Sequence, residues 1–233
     1  MHPNRIDLGL GRAPGTDQQT ADAINPNRVK EVYNFPKNVQ LLQQYLQDND
    51  DSTNVRAFPG NGTEIPLWIL GSSTDSAYLA AQLGLPYSFA SHFAPQILLE
   101  AIKIYRDNFK PSKQLSAPYV MAGINVIAAD DNKHAEFLST STKQIFAEII
   151  SGKRSPLMPP VDPDKLSFSV QQIAAILHML KYSFVGDKKR ISEQISSFIA
   201  TTKVDEVIIS SNIYDFQERL KSHTLFAELM HNY

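Results

Sequence analysis

Leu70-Gly71-Ser72-Ser73-Thr74-Asp75-Ser76 joins an apolar run to a helical pattern and is the sharpest chemical feature of the chain. Small hydroxyl residues and backbone N–H groups at the start of a helix make an anion site. The first amides have no intrahelical acceptor, and the helix dipole favours negative charge there. The same residues also serve as plain N-caps, through Ser73 or Asp75, and chemistry alone does not choose. No lysine follows where a nucleoside-triphosphate loop needs one. Arg12 closes a second apolar run, Arg5-Ile6-Asp7-Leu8-Gly9-Leu10-Gly11. A guanidinium at the C-terminal end of a parallel strand points toward the site mouth of such folds, and its fork suits a phosphate. Gly9, Gly11 and Gly15 imitate a dinucleotide fingerprint but fail its spacing, because the third glycine position holds Pro14. Those glycines otherwise read as places of close backbone packing.

Ser91-His92-Phe93-Ala94-Pro95 ends another short apolar run. His92 could carry a proton or touch a ring near neutral pH; a lone histidine at a strand end is more often a hydrogen-bonded structural residue. His2, His134, His178, His223 and His231 show no metal-ligand spacing, so no metal site is expected. With no cysteine there are no disulfides, thiolate metal sites or thiol nucleophile. A net charge of −2 gives no global field for nucleic acid. Lys188-Lys189-Arg190 reads as a solvated helix face, and Asn61-Gly62-Thr63 matches a glycosylation sequon. Apolar residues make up 42% and charged residues 20%, an ordinary globular composition. The longest apolar stretches, such as Val120–Ala129, are strand length, far below the roughly 20 residues that span a bilayer. No membrane span and no targeting signal is expected, and the cytoplasm is the expected compartment.

Positioning these residues falls to alternating strands and helices. Strands are expected at Ile6–Gly11, Ile65–Leu70, Tyr87–Ala90, Tyr119–Ala129 and Glu206–Ser210, five in all, with near-continuous apolar runs as in a parallel sheet. Helices are expected at Asp17–Ile24, Asn38–Gln47, Ser76–Leu83, Pro95–Phe109, Lys133–Ser151, Gln171–Leu180, after Asp187, and at Leu220–Met230. Gly84 stops the third of these and Pro86 forbids its continuation. Val55–Phe58 is a short extended piece closed by the Pro59-Gly60-Asn61-Gly62 turn, and Phe184-Val185-Gly186 is short and extended. Ser155–Pro163 holds four prolines and reads as an excursion, not a boundary, so residues 1–233 are expected to form a single domain. The alternation means α/β with a parallel sheet.

Taken together, these segments resemble the bacterial luciferase-like flavin-dependent monooxygenase family, in its branch of luciferase-family oxidoreductases. Arg5–Gly15 resembles the family's fourth barrel strand and loop. Ile65–Ser73 with Ser76-Ala77 resembles its fifth strand and flavin-phosphate loop, and Gly84-Leu85-Pro86 with Phe89–Pro95 its sixth. Phe184–Asp187 and Asp205–Ile209 resemble the approach to, and body of, the eighth. The resemblance implies a (β/α)8 TIM-barrel fold, reduced FMN as cofactor, oxygen as oxidant and a small organic substrate such as an aldehyde. It implies a separate flavin reductase as partner; self-association into a homo-oligomer is the expectation if the barrel is open and its edge strands are exposed. Arg12, Gly71, Ser72, Ser73 and Ser76 fall where the family binds the flavin phosphate; Ser91 and His92 fall near the flavin ring. Family members carry roughly a hundred residues before the Arg-Ile-Asp strand, enough for three strand–helix units. An incomplete, N-terminally truncated barrel is therefore expected, one that holds the phosphate half and lacks the histidine-bearing strands. The alternative reading is an inactive flavin-binding remnant, or an interaction protein that needs a partner chain.

Overall fold

The computed structural model describes residues 5–48, 55–153 and 155–231. The chain divides into two compact units, Met1–Phe89 with Glu100–Val120, and Ala90–Leu99 with Met121–Tyr233. The proline-rich stretch lies inside the second.

In the first unit, β1 (Leu8–Gly11), β2 (Leu67–Gly71) and β3 (Tyr87–Phe89) pair in that order, all parallel. The register places Gly11 beside Leu70, and Ile69 beside Tyr87. Leu67, Trp68 and Ile69 are buried in succession, as expected of a strand covered on both faces. Between β1 and β2 run α1 (Gln18–Ile24), capped by Asp17, and α2 (Arg28–Leu46). The periodicity of Val39, Leu42, Tyr45 and Leu46 predicts this helix only over Asn38–Gln47, and Pro36, which lacks an N–H and crowds the preceding turn, lies just before it. The helix instead starts ten residues earlier, at Arg28, and runs through Pro36. Val39 and Leu46 are buried on its inner face, and that burial offsets the missing hydrogen bond. Residues 55–57 form no strand; turns follow at 58–62.

α3 (Thr74–Leu83) connects β2 to β3. It ends at Gly84, whose φ is +64° and where a Cβ would lie 2.4 Å from the Lys110 carbonyl oxygen. Handedness and space both exclude a side chain there. Tyr105, on α4 (Leu98–Asn108), donates its hydroxyl to the Leu85 carbonyl at 2.9 Å and packs its ring on Tyr87. A 3₁₀ turn at Pro95–Ile97 precedes α4, where one continuous helix was expected.

In the second unit, β4 (Val120–Ala128) is the long central strand. Its C-terminal half pairs with β5 (Ser183–Gly186) and its N-terminal half with β6 (Glu206–Ser210), both parallel. The described residues thus hold six strands, not the five expected. β5 is the addition: four residues carry too little periodicity to stand alone, and β4 supplies the pairing, with Asn125 Nδ2 donating to Ser183 Oγ at 3.1 Å. α5 (Asn132–Ile150), α6 (Val170–Met179), α7 (Lys188–Thr202) and α8 (Phe216–Met230) start on the side-chain caps Asp131, Ser169, Asp187 and Asp215. Ile127, Ala129, Ala135, Leu138 and Ile213 form a core between β4 and its helices. Lys188 and Arg190 pair with Glu228 and Glu136 at the surface.

Both terminal strands carry exposed apolar side chains. Ile6 and Leu8 are 49% and 37% accessible at β1, and Ile208 is 54% accessible in β6.

Candidate functional site

Register brings the first candidate residues together. Because Gly11 sits beside Leu70, the two strands release their chains side by side, Arg12 from β1 and Gly71-Ser72-Ser73 from β2. Arg12 Nη2 lies 3.4 Å from Oδ2 of Asp75, in the first turn of α3. Both side chains are substantially exposed, so the pair contributes little to stability. The guanidinium therefore stands at the helix N-terminus, where backbone donors and dipole already favour an anion.

The loop itself is held from beneath. Ser73 is the N-cap, in extended conformation, and its Oγ accepts from the Ser76 amide at 3.4 Å. Asp75 is not the cap. The Ser76 hydroxyl donates to the Ser73 carbonyl at 2.6 Å and lies 2.9 Å from the Tyr87 hydroxyl, which is itself 3.2 Å from that carbonyl. Gly71 makes the space: a Cβ there would sit 2.0 Å from Ser76 Oγ. Burial pushes the Tyr87 hydroxyl well above the usual tyrosine range, with the Ser76 hydrogen bond pulling more weakly the other way. Tyr87 is a neutral donor at any ordinary pH. A cavity of about 170 Å³ opens here, lined in part by Arg12, Phe35, Leu70, Asp75 and Ser76. Its lining is mostly apolar, with Arg12, Asp75 and Ser76 as the polar members.

Ser91 and His92 belong to the second unit. Ser91 is fully buried and donates its hydroxyl to the Gly123 carbonyl at 2.5 Å, and the His92 amide donates to the same oxygen at 2.8 Å. The Ser91 hydroxyl is thus spent on the backbone. His92 Nδ1 is buried with no hydrogen-bond partner among the described residues. Arg12, Gly71, Ser72, Ser73 and Ser76 form one local group within the first unit, and Ser91 and His92 another within the second.

Two participants escape the sequence reading. Asp75 enters only as a possible cap, although it faces Arg12 across 63 residues of chain. Tyr87 reads as one more buried strand residue; its signal is that a buried phenol needs a hydrogen-bond partner.

A larger hollow, about 700 Å³, lies at the other end of β2, bordered by Gln40, Gln43, Gln47, Glu64 and Gln114. The Gln114 side chain is already committed to the Leu67 amide and carbonyl. Sites in parallel α/β folds lie at the carboxyl ends of strands, so the Arg12 end is the better candidate despite its smaller cavity. Among the described residues no group of His, Asp and Glu side chains could hold a metal ion. No described helix is long and apolar enough to cross a membrane.

Parallel strands joined by helices, with a guanidinium and a helix N-terminus at the carboxyl ends of adjacent strands, define an α/β protein with a candidate anion site. Residues 1–149 match the family model described as luciferase-like monooxygenase, and the chain belongs to that family. It is 45% identical over 229 residues to a luciferase-like monooxygenase of Escherichia coli (strain K12), covering 98% of this chain and 68% of that protein. The crystal structure of apo-MsnO8 is similar with a TM-score of 0.78 and 28% identity, covering 98% of this chain and 69% of that one. Two more distant structures share the fold. One is an F420-dependent secondary alcohol dehydrogenase in complex with an F420-acetone adduct (TM-score 0.59, 13% identity, 98% of this chain and 69% of that one). The other is the oxygenating constituent of 3,6-diketocamphane monooxygenase, a type II Baeyer-Villiger monooxygenase of Pseudomonas putida in complex with FMN (TM-score 0.51, 14% identity, 96% and 68%).

Proposed function

We propose that this chain is the phosphate-holding part of a flavin-dependent monooxygenase, using reduced FMN and oxygen on a small organic substrate such as an aldehyde. The observation that carries the reading is Arg12 standing at the N-terminus of α3 within one compact unit. The donor set fits a flavin phosphate. It offers one fixed cation, backbone N–H groups of a ten-residue helix, and a loop whose glycine leaves room for close approach.

Bound reduced flavin supplies the two electrons that activate oxygen for insertion into the substrate. This chain's residues do the holding. The Arg12 guanidinium neutralises phosphate charge, and its fork fixes orientation. The α3 amides donate to the remaining oxygens. Ser73 shapes the loop, and Ser72 with Gly71 forms its wall. Within the second unit, His92 carries a buried ring nitrogen with no hydrogen-bond partner among the described residues and Ser91 fixes the backbone beside it; the family resemblance makes both candidate flavin contacts. A separate reductase would supply the reduced flavin, and the cytoplasm is the compartment where such a couple works.

The expected result in titration calorimetry is that Arg12→Ala weakens FMN binding by about 1.5–3 kcal/mol, the range for a hydrogen bond to a charged group, while riboflavin, which lacks the phosphate, is nearly indifferent. Equal losses for both ligands would sink the assignment. A deazaflavin cofactor on the same fold is told apart by the absorption spectrum of whatever copurifies.

A second reading, an incomplete barrel acting as a flavin-binding remnant or a module that needs a partner chain, is favoured by the exposure of Ile6, Leu8 and Ile208. Turnover of an aldehyde above the free-flavin background, from a homogeneous preparation of these 233 residues, would exclude it.

A further inference from the structure

We propose that Tyr87 is a positioning residue for the phosphate subsite: its hydroxyl and that of Ser76 clamp the Ser73 carbonyl, and so aim the Thr74 amide at the anion. The inference rests on reading this loop as the phosphate site.

The ring of Tyr87 is explained by packing. It lies against Phe89 and Tyr105, with centroids 6.1 and 5.4 Å away, and is fully buried. Phenylalanine would fill that place equally well. The hydroxyl needs its own reason, because a buried polar group persists only where it is hydrogen-bonded. Its partners are Ser76 Oγ at 2.9 Å and the Ser73 carbonyl at 3.2 Å. Each hydroxyl has one proton to give. Ser76 gives its proton to the Ser73 carbonyl at 2.6 Å, so the Tyr87 proton goes to Ser76 Oγ or to the same carbonyl. Burial keeps that proton in place.

The consequence follows from peptide planarity. The Ser73 carbonyl and the Thr74 N–H belong to one trans peptide unit and point in opposite directions. Holding the carbonyl inward on two hydroxyls turns the Thr74 N–H away from the core, toward the mouth of the loop beside Arg12. Thr74 opens α3, so its amide is one of the orphan donors of the helix. The strand carrying Tyr87 is hydrogen-bonded to β2, which makes the clamp a rigid support. Ser76 thereby acts through the backbone, its proton being already spent on Ser73, and not as a direct ligand of the anion.

The test is a double-mutant cycle on the full chain, with FMN and riboflavin affinities read from flavin fluorescence and Arg12→Ala as the reference. Tyr87→Phe and Ser76→Ala are each expected to weaken FMN binding roughly three- to tenfold, the loss of one modest hydrogen bond. Riboflavin binding should be unchanged. The double variant should be no weaker than either single one, because both remove the same clamp. Ser76→Thr, which keeps the hydroxyl, should retain FMN affinity. A merely structural role would lower the melting temperature without moving the FMN-to-riboflavin ratio, and that result overturns the proposal. So do losses that add in the double variant, which would make Ser76 a direct ligand. Normal FMN affinity in Tyr87→Phe with a selective loss in Arg12→Ala overturns the clamp but leaves the site standing. Equal losses for both flavins in Arg12→Ala, or no binding of either by the unaltered chain, overturn the site and the clamp together.

Discussion

The Arg12 guanidinium faces the Asp75 carboxylate across 3.4 Å, and that carboxylate occupies the first turn of the helix whose N-terminus would receive a phosphate. At the proposed phosphate site, Asp75 would compete with an incoming anion in two ways. It satisfies the arginine, and it places negative charge where the helix dipole would favour the ligand's own.

Asp75→Asn should therefore tighten FMN binding, by roughly 0.3–1 kcal/mol, the range for one charge near a helix end. The melting temperature should hardly move, since the pair is exposed. Calorimetric titration of the variant checks this. Weaker binding would mean that Asp75 orients Arg12 productively instead of competing with phosphate.

Tyr87 gives the chain an alkaline sensitivity. Its folded-state pKa is raised above the ordinary 10.0, so its contribution to stability is fully present below that value. It is lost as pH rises above 10.0, where the unfolded chain releases the proton and the folded one holds it. Urea midpoints measured from pH 8 to 11 should fall more steeply for the unaltered chain than for Tyr87→Phe. Parallel slopes would show that the Tyr87 hydroxyl is not buried in solution.

Exposed apolar residues on the terminal strands should drive self-association. Burying a side chain such as Ile208 is worth about 1.5–3 kcal/mol, and an open strand edge offers backbone groups to a second copy. Sizing with light scattering is expected to show oligomers whose population rises with concentration, and Ile6→Lys with Ile208→Lys should reduce them. A concentration-independent monomer of the unaltered chain would refute this.

Several elements are legible locally because their causes are local. Gly84 ends α3 through its positive φ. Asp131 and Asp187 cap the helices that follow them by accepting from amides three residues on. Leu67–Ile69 is recognisable as a doubly covered strand from its unbroken apolar run. Glycine spacing rejects a dinucleotide loop without any coordinates. The family resemblance too is carried by short contiguous segments, and the matched model spans most of them.

Other features depend on what lies opposite in space. The helix through Pro36 depends on burial of Val39 and Leu46, which outweighs a local prohibition. β5 exists because β4 offers it a ladder. Gly71 carries no left-handed signal; its missing Cβ matters only because the Ser76 hydroxyl turns back toward it.

Legible from the residues alone are the alternation of strands and helices, several of the caps, and the family. These follow from backbone propensities and side-chain chemistry acting within a few residues. Only the tertiary structure decided that Arg12 meets Asp75 and that Tyr87 supports Ser73. Those pairs are joined by strand register across crossovers, and no local rule reaches across 63 or 14 residues of chain.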